Sequence, residues 1–112
     1  MSKSNNLLII TSALPYANGP LHFGHLLEHI QTDIWVRTNR AMNKKCIYIC
    51  ASDAHGTPIM LKAEEEGVTP EDLIEEVTEQ QKNSLVNFNR QHDNYYTTHS
   101  EENKYFSEHI FN

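Results

Sequence analysis

The chain has 112 residues, with 9 Lys and Arg against 15 Asp and Glu, which gives a formal net charge of −6. The length allows one domain, and the acidic balance excludes a segment that by itself grips a nucleic-acid backbone. No apolar run approaches the ~20 residues of a membrane helix, and no secretory signal opens the chain, so we expect a cytoplasmic protein without membrane contact.

The cysteines lie in the first half of the chain. In a strand Cys46 and Cys50 are ~13 Å apart, beyond the ~7 Å that a disulfide spans. We therefore predict two reduced, buried side chains and no metal site.

The first half predicts a strand, a turn and a helix. Residues 7–11 are short, branched and apolar, typical of a strand buried on both faces. Residues 13–20 hold two prolines and an Asn-Gly pair, which indicate a structured turn. A helix then runs from about 22 to 43, and one face carries its apolar spacing: Leu26, Leu27, Ile30, Ile34 and Thr38. A basic cluster at its end, Arg37, Arg40, Lys44 and Lys45, is typical of helix termination.

The second half predicts another buried strand at 47–51 and three helices. Thr57 caps the first helix and Gly67 ends it, while Thr69 caps a second that reaches about residue 88. Eight acids between residues 64 and 79 predict a solvated helical face. After a short extended segment at 95–98, Thr98 or Ser100 caps a last helix whose apolar repeat is unfinished at the chain end.

Strand, helix and strand in this order predict a βαβ unit with a parallel sheet, and so an α/β fold. Ligands bind such sheets at the carboxyl ends of the strands. Here those ends are residues 11–18 and 52–57, the two segments that look most like motifs.

Two histidines open the first helix directly after the turn. His22 and His25 share one face at a helix N-terminus, where they can donate hydrogen bonds to phosphoryl oxygens. Gly24 lets a flat ring or a ribose approach the backbone. The spacing alone is equally that of two histidines that cap a helix.

The context of these histidines resembles a known family. The stretch from Ala13 to His25, with its signature region from Pro15 to His25, resembles the His-Ile-Gly-His region of class I aminoacyl-tRNA synthetases, and its Pro-Tyr-Ala-Asn-Gly lead-in resembles the methionyl branch. Residues 52–59 resemble the family's second segment, and residues 99–103 are also similar. The resemblance extends from about residue 8 to the end.

That resemblance implies methionine–tRNA ligase activity: ATP-dependent activation of methionine to methionyl-adenylate, then transfer to tRNA(Met). It implies ATP with Mg²⁺ as the nucleotide, and a zinc-binding insertion whose ligands lie outside residues 1–112. The chain would be the incomplete N-terminal portion of a Rossmann-like nucleotide-binding catalytic domain. Without the lysine-rich signature loop and the rest of the methionine pocket, we expect these 112 residues alone to be inactive.

The resemblance also assigns roles by position. His22 and His25 would be catalytic, and the ATP-binding residues would be Tyr16, Asn18, His22, Gly24 and His25. The methionine pocket would include Ala13, Leu14, Tyr16 and Asp53. For Asp53, whose carboxylate would bind the substrate ammonium, a loop carboxylate that caps a nearby N–H stays the alternative.

Two positions depart from the family pattern. Ser52 stands where members often carry another acid, which lowers the local negative charge. Phe23 replaces the usual aliphatic residue, and we expect its side chain to pack under the helix, away from phosphate.

Two other functions fit parts of the sequence. His25, Glu28 and His29 match the His-x-x-Glu-His pattern of inverted zinc peptidases, with Glu101 or Glu102 as a nominal third ligand. A truncated, non-catalytic fragment that binds nucleotide weakly or not at all is the other alternative.

Overall fold

The computed structural model describes residues 6–88 and 92–112. Its elements in chain order are β1 (Leu8–Thr11), α1 (Phe23–Ala41), β2 (Cys46–Ser52), α2 (Thr57–Glu66), α3 (Pro70–Asn87), β3 (Asn94–Thr97) and α4 (Glu101–Phe111). The strands form one parallel sheet in the order β1-β2-β3. The predicted βαβ unit with a parallel sheet is therefore confirmed.

The sheet is covered on one side only among the described residues. Tyr48, Cys50 and Ser52 are buried on that side, whereas Ile9 on the other face is 68% exposed. The prediction that residues 7–11 and 47–51 are buried on both faces is wrong for this chain. Branched apolar residues reflect a strand's propensity, but which faces become covered depends on the helices that pack there.

The buried face of α1 is polar, and the predicted face is wrong. Its buried residues are His29, Asp33, Val36 and Asn39, while Leu27 and Ile34 are exposed. The helix can bury polar side chains because they have partners: His29 contacts Ser12, Asp33 pairs with Arg37, and Asn39 donates to the Trp35 carbonyl.

The basic cluster at the end of α1 does more than terminate a helix. The Arg40 guanidinium donates to Asp93 Oδ2 at 2.6 Å and to the Cys46 carbonyl at 3.1 Å. Asp93 Oδ2 also accepts from the Tyr48 amide at 2.6 Å. Arg40 therefore ties the end of α1 to the start of β2 and to the residue before β3.

Most of the predicted helix ends are confirmed. Gly67 ends α2 with a φ of 70°, Thr69 caps α3 by accepting from the Asp72 amide, and Ser100 caps α4. The exception is Thr57, which is the first helical residue and not the cap; Gly56 holds that position. The eight acids between residues 64 and 79 are exposed, as predicted. No helix in the described part of the chain is long and apolar enough to cross a bilayer.

The core joins the two strand-end segments to the helices behind them. It consists of small and branched side chains that exclude water together: Ala17, Ala54, Ile59, Ala63, Leu73, Ile74 and Val77. Ala17 and Ala54 belong to the segments after β1 and β2, and the other members lie on α2 and α3. This packing fixes both segments against a rigid support.

Candidate active site

The segments after β1 and β2 are hydrogen-bonded to each other. The Asp53 amide donates to the Pro15 carbonyl at 2.8 Å, and the Ala17 amide donates to the Asp53 carbonyl at 2.7 Å. These bonds form a parallel bridge between Tyr16 and Asp53. The structure thus brings together two segments that the sequence placed at the same sheet edge.

A buried amide supports this bridge from below. Gln81 Nε2 on α3 donates to the Tyr16 carbonyl at 2.9 Å and to the Gly19 carbonyl at 3.1 Å. Its Oε1 accepts from Ser52 Oγ at 3.0 Å and from the Tyr95 hydroxyl at 3.2 Å. Gln81 therefore fixes the turn after β1, the end of β2 and β3 relative to one another.

The role of Gln81 was missed from the sequence, although a signal exists. The buried positions Leu73, Val77 and Leu85 on α3 follow a helical spacing that Gln81 interrupts. A polar residue in such a stripe needs buried partners, because an unpaired amide there is costly.

Ser52 faces this network and not the solvent. Its side chain is fully buried and donates to Gln81. Ser52, which stands where family members often carry an acid, therefore contributes a buried hydrogen bond beneath the bridge. The replacement does not alter the charge of an exposed surface.

The two histidines cap α1. His22 Nδ1 accepts from the Gly24 amide at 3.1 Å, and His25 Nδ1 accepts from the His22 amide at 3.3 Å. Their rings stack with centroids 3.7 Å apart. A Cβ at Gly24 would lie 3.0 Å from the His22 ring, a tight contact that would shift this ring by a few tenths of an ångström.

The cap determines which nitrogen of each ring carries the proton. A neutral imidazole that accepts through Nδ1 is protonated at Nε2. Burial and the neighbouring His22 lower the pKa of His25, against an opposing effect of Glu28, which favours the neutral ring. Each ring then offers one Nε2–H donor beside the N-terminus of α1.

The remaining predicted site residues lie in the loop before α1, except Asp53, which follows β2. The Ala13 amide donates to Glu28 Oε1 at 2.6 Å, and the Asn18 carbonyl accepts from Lys62 Nζ at 2.7 Å. Leu14 is exposed, whereas Tyr16 and Asp53 are half-buried. The loop is thus held at both ends.

A glycine lets the tyrosine of this loop lie close to the segment after β2. Gly56 has a φ of 130°, and a Cβ there would lie 2.7 Å from the Tyr16 hydroxyl. A side chain at this position would displace Tyr16, so the approach depends on glycine.

Phe23 does not pack under the helix, so that prediction is wrong. Its side chain is 78% exposed at the first position of α1. The first turn has no neighbour behind it among the described residues that could cover a large apolar ring.

The histidine–glutamate pattern of a zinc peptidase does not form a metal site. His25 caps the helix, Glu28 accepts from the Ala13 amide, and His29 is buried against Ser12. One group of three potential metal ligands lies close together among residues 6–88 and 92–112, and it contains His29 with Cys50 and His92. The peptidase alternative is therefore rejected.

The fold matches that of solved synthetases. Two structures of Mycobacterium tuberculosis methionyl-tRNA synthetase with methionyl-adenylate, each 24% identical, match with TM-scores of 0.84 and 0.83 over 87% and 86% of this chain and 19% of theirs. The LeuRS of Agrobacterium radiobacter K84, in a ternary complex with tRNA and LeuAMS, matches at 22% identity with a TM-score of 0.80, over 88% of this chain and 13% of that one. The sheet and helices therefore correspond to part of the Rossmann-like catalytic domain of class I synthetases.

A family model assigns the chain more closely. The model described as tRNA synthetases class I (M) matches residues 8–112, and the chain belongs to this family. It spans about a fifth (19%) of the length of the methionyl-tRNA synthetase structures that it matches. The predicted fold class and family are confirmed.

Proposed function

We propose that residues 1–112 are the N-terminal part of the catalytic domain of a methionine–tRNA ligase, which activates methionine with ATP and transfers it to tRNA(Met). The observation that carries the proposal is the bridge between Tyr16 and Asp53. Tyr16 belongs to the loop that leads into the histidine-capped start of α1. The family match and the methionyl-adenylate in the similar structures support it. We expect the enzyme to work in the cytoplasm, where protein synthesis takes place.

The proposed methionine site uses the loop after β1. Asp53 would bind the substrate ammonium, because a half-buried carboxylate forms a strong charge-assisted hydrogen bond with a cation. Ala13, Leu14 and Tyr16 would line the pocket for the rest of the amino acid. The hydrogen bond from the Ala13 amide to Glu28 keeps this loop in place before methionine binds.

The proposed ATP site is the start of α1, with Tyr16 and Asn18 beside the nucleotide. An oxygen of the methionine carboxylate attacks the α-phosphorus, the bond to the β-phosphate breaks, and pyrophosphate leaves. His22 and His25 would donate from Nε2 to phosphoryl oxygens as negative charge develops on them, supported by the partial positive charge of the helix N-terminus. Gly24 leaves room for the adenosine. Mg²⁺ would be held mainly by the phosphates and neutralise part of their charge.

The decisive experiment separates the cap from the imidazole rings that form it. In the full-length enzyme, His25→Gln keeps an acceptor that can reach the His22 amide, as in an ordinary capping box, but removes the imidazole. We expect His25→Gln and His25→Ala both to lower the adenylation rate by about 10²- to 10³-fold, with little change in methionine affinity. Stopped-flow adenylate formation measures both quantities.

His22→Asn is the matched variant, since asparagine preserves the N-cap. Its rate should also fall while the helix remains intact by circular dichroism. An unchanged rate with weakened methionine binding in His25→Gln would contradict the assignment. Methionine-dependent exchange of pyrophosphate into ATP by the 112-residue chain alone would contradict our expectation that this part by itself is inactive.

A further inference from the structure

Three side chains that the proposed activity does not use meet behind the sheet. His29 on α1, Cys50 on β2 and His92, just before β3, each offer one potential ligand atom, and these atoms lie within 4.8 Å of one another. His29 is 1% exposed and Cys50 is 6% exposed, while His92 is half-buried. The group lies in the interior and not on the solvated surface.

One ring nitrogen of each histidine in this group lacks a hydrogen-bond partner among the described residues. Nε2 of His29 and Nε2 of His92 are both buried and have no hydrogen-bond partner among the described residues. An unsatisfied buried polar atom costs about 1–3 kcal/mol, so two such atoms beside one thiol require an explanation. A shared ligand that accepts electron pairs from all three side chains would satisfy both nitrogens.

A hydroxyl prepares His29 for such a ligand. Ser12 Oγ lies 3.1 Å from His29 Nδ1, 3.2 Å from the Tyr48 hydroxyl and 3.8 Å from Cys50 Sγ. When Ser12 donates its single proton to Cys50 or Tyr48, His29 Nδ1 must donate to Ser12, which leaves the Nε2 lone pair free. Metal-binding histidines are oriented in this way by a hydrogen bond at their other nitrogen.

We propose that His29, Cys50 and His92 bind one Zn²⁺ ion that links α1, β2 and the start of β3. Two imidazoles and a thiolate are the ligand types that zinc prefers, and the Ser12 hydroxyl contacts His29 and the Tyr48 hydroxyl beside them. On binding, the Cys50 thiol releases its proton to solvent and the ion binds the thiolate.

The surrounding charge favours a cation. Glu28 acts electrostatically on His29, and Asp33 and Asp93 act on His92. Zinc with one thiolate and two neutral imidazoles carries a net charge of +1. Glu28 can offset this charge, whereas Asp33 and Asp93 already pair with Arg37 and Arg40.

The test uses Co²⁺ and Zn²⁺ with the 112-residue chain, purified without a histidine tag. We expect one equivalent of Co²⁺ to bind with a thiolate-to-cobalt charge-transfer band, and Zn²⁺ to displace it. Cys50→Ser should abolish the band, and His92→Gln should weaken Co²⁺ binding by at least about 10-fold. Zn²⁺ should raise the melting temperature of the wild-type chain and not that of His92→Gln.

Two matched variants control for other ligands. Cys46→Ser changes the other cysteine of β2 and should keep the band. His55→Gln removes one member of the exposed pair of His55 and His99, whose rings are 5.5 Å apart, and should leave the affinity unchanged.

Several results would overturn the proposal. One is loss of the thiolate-to-cobalt band in Cys46→Ser, and another is an unchanged Co²⁺ affinity in His92→Gln. A third is Co²⁺ binding by the folded chain that is no tighter than binding by the urea-unfolded chain. If Cys50→Ser fails to fold by circular dichroism, the comparison of His92→Gln with His55→Gln decides.

Discussion

Gln81 is the residue whose replacement tests most directly how the bridge between the two strand-end segments is supported. Gln81→Leu keeps the approximate volume and the helix propensity of the side chain. It removes two donors, to the Tyr16 and Gly19 carbonyls, and one acceptor that serves Ser52 and Tyr95.

The magnitude follows from the burial of these partners. The Ser52 hydroxyl is fully buried and loses its acceptor, which costs about 1–3 kcal/mol. The other three hydrogen bonds are partly buried and contribute about 0.5–1.5 kcal/mol each. After subtracting about 1.5–3 kcal/mol gained by burying an apolar side chain, we expect Gln81→Leu to lower the free energy of unfolding by about 1–5 kcal/mol.

Urea denaturation followed by circular dichroism measures this difference. Gln80→Leu is the matched control, because Gln80 is the exposed neighbour on α3 and its side-chain amide donates to Glu76, which is also exposed. That variant should remain within about 0.5 kcal/mol of the wild type. Equal unfolding free energies for Gln81→Leu and Gln80→Leu would refute the argument that the buried amide supports the bridge.

Three further substitutions test neighbouring parts of the site. Ser52→Asp should destabilise the chain by about 3 kcal/mol in urea, because a carboxylate has no proton for Gln81 Oε1; an unchanged free energy of unfolding would contradict this pairing. Gly56→Ala should cost more than Gly67→Ala, because only at Gly56 would the new Cβ meet a tyrosine hydroxyl at 2.7 Å, and equal melting temperatures would refute the close approach. In the full-length enzyme, Asp53→Asn should weaken methionine binding by about 10- to 100-fold, as measured by pyrophosphate exchange. A competitive methionine analogue that lacks the amino group should bind the wild-type enzyme and the Asp53→Asn variant equally.

Short-range signals explain why the elements could be predicted from the sequence. Gly67, Thr69 and Ser100 end or cap helices through bonds within a few residues, and these bonds depend on residue type and spacing alone. The meeting of the segments after β1 and β2 could also be predicted, because parallel strands bring their carboxyl ends to one edge.

Long-range packing explains what could not be predicted. The apolar spacing on α1 suggested that Ile34 faces the core, yet the helix buries His29 and Asp33, whose partners stabilise them there. Residues 29, 50 and 92 come from three separate parts of the fold, so no local spacing reveals that His29, Cys50 and His92 meet. Buried polar groups are placed by partners that are distant in sequence, and periodicity does not report those partners.

The two interpretations of the histidine pair, as a cap and as a phosphate site, become compatible once the ring nitrogens are distinguished. Capping uses Nδ1 of His22 and of His25 as acceptors for backbone amides. This places the protons of the neutral rings on Nε2, so the cap itself holds two donors in fixed tautomers. A group held in the required tautomer before substrate binds does not have to reorganise when charge develops, which is the condition for electrostatic stabilisation of a transition state. The stacked cap is therefore the arrangement expected of a preorganised phosphate site, and glycine at position 24 leaves the His22 ring undisturbed in it.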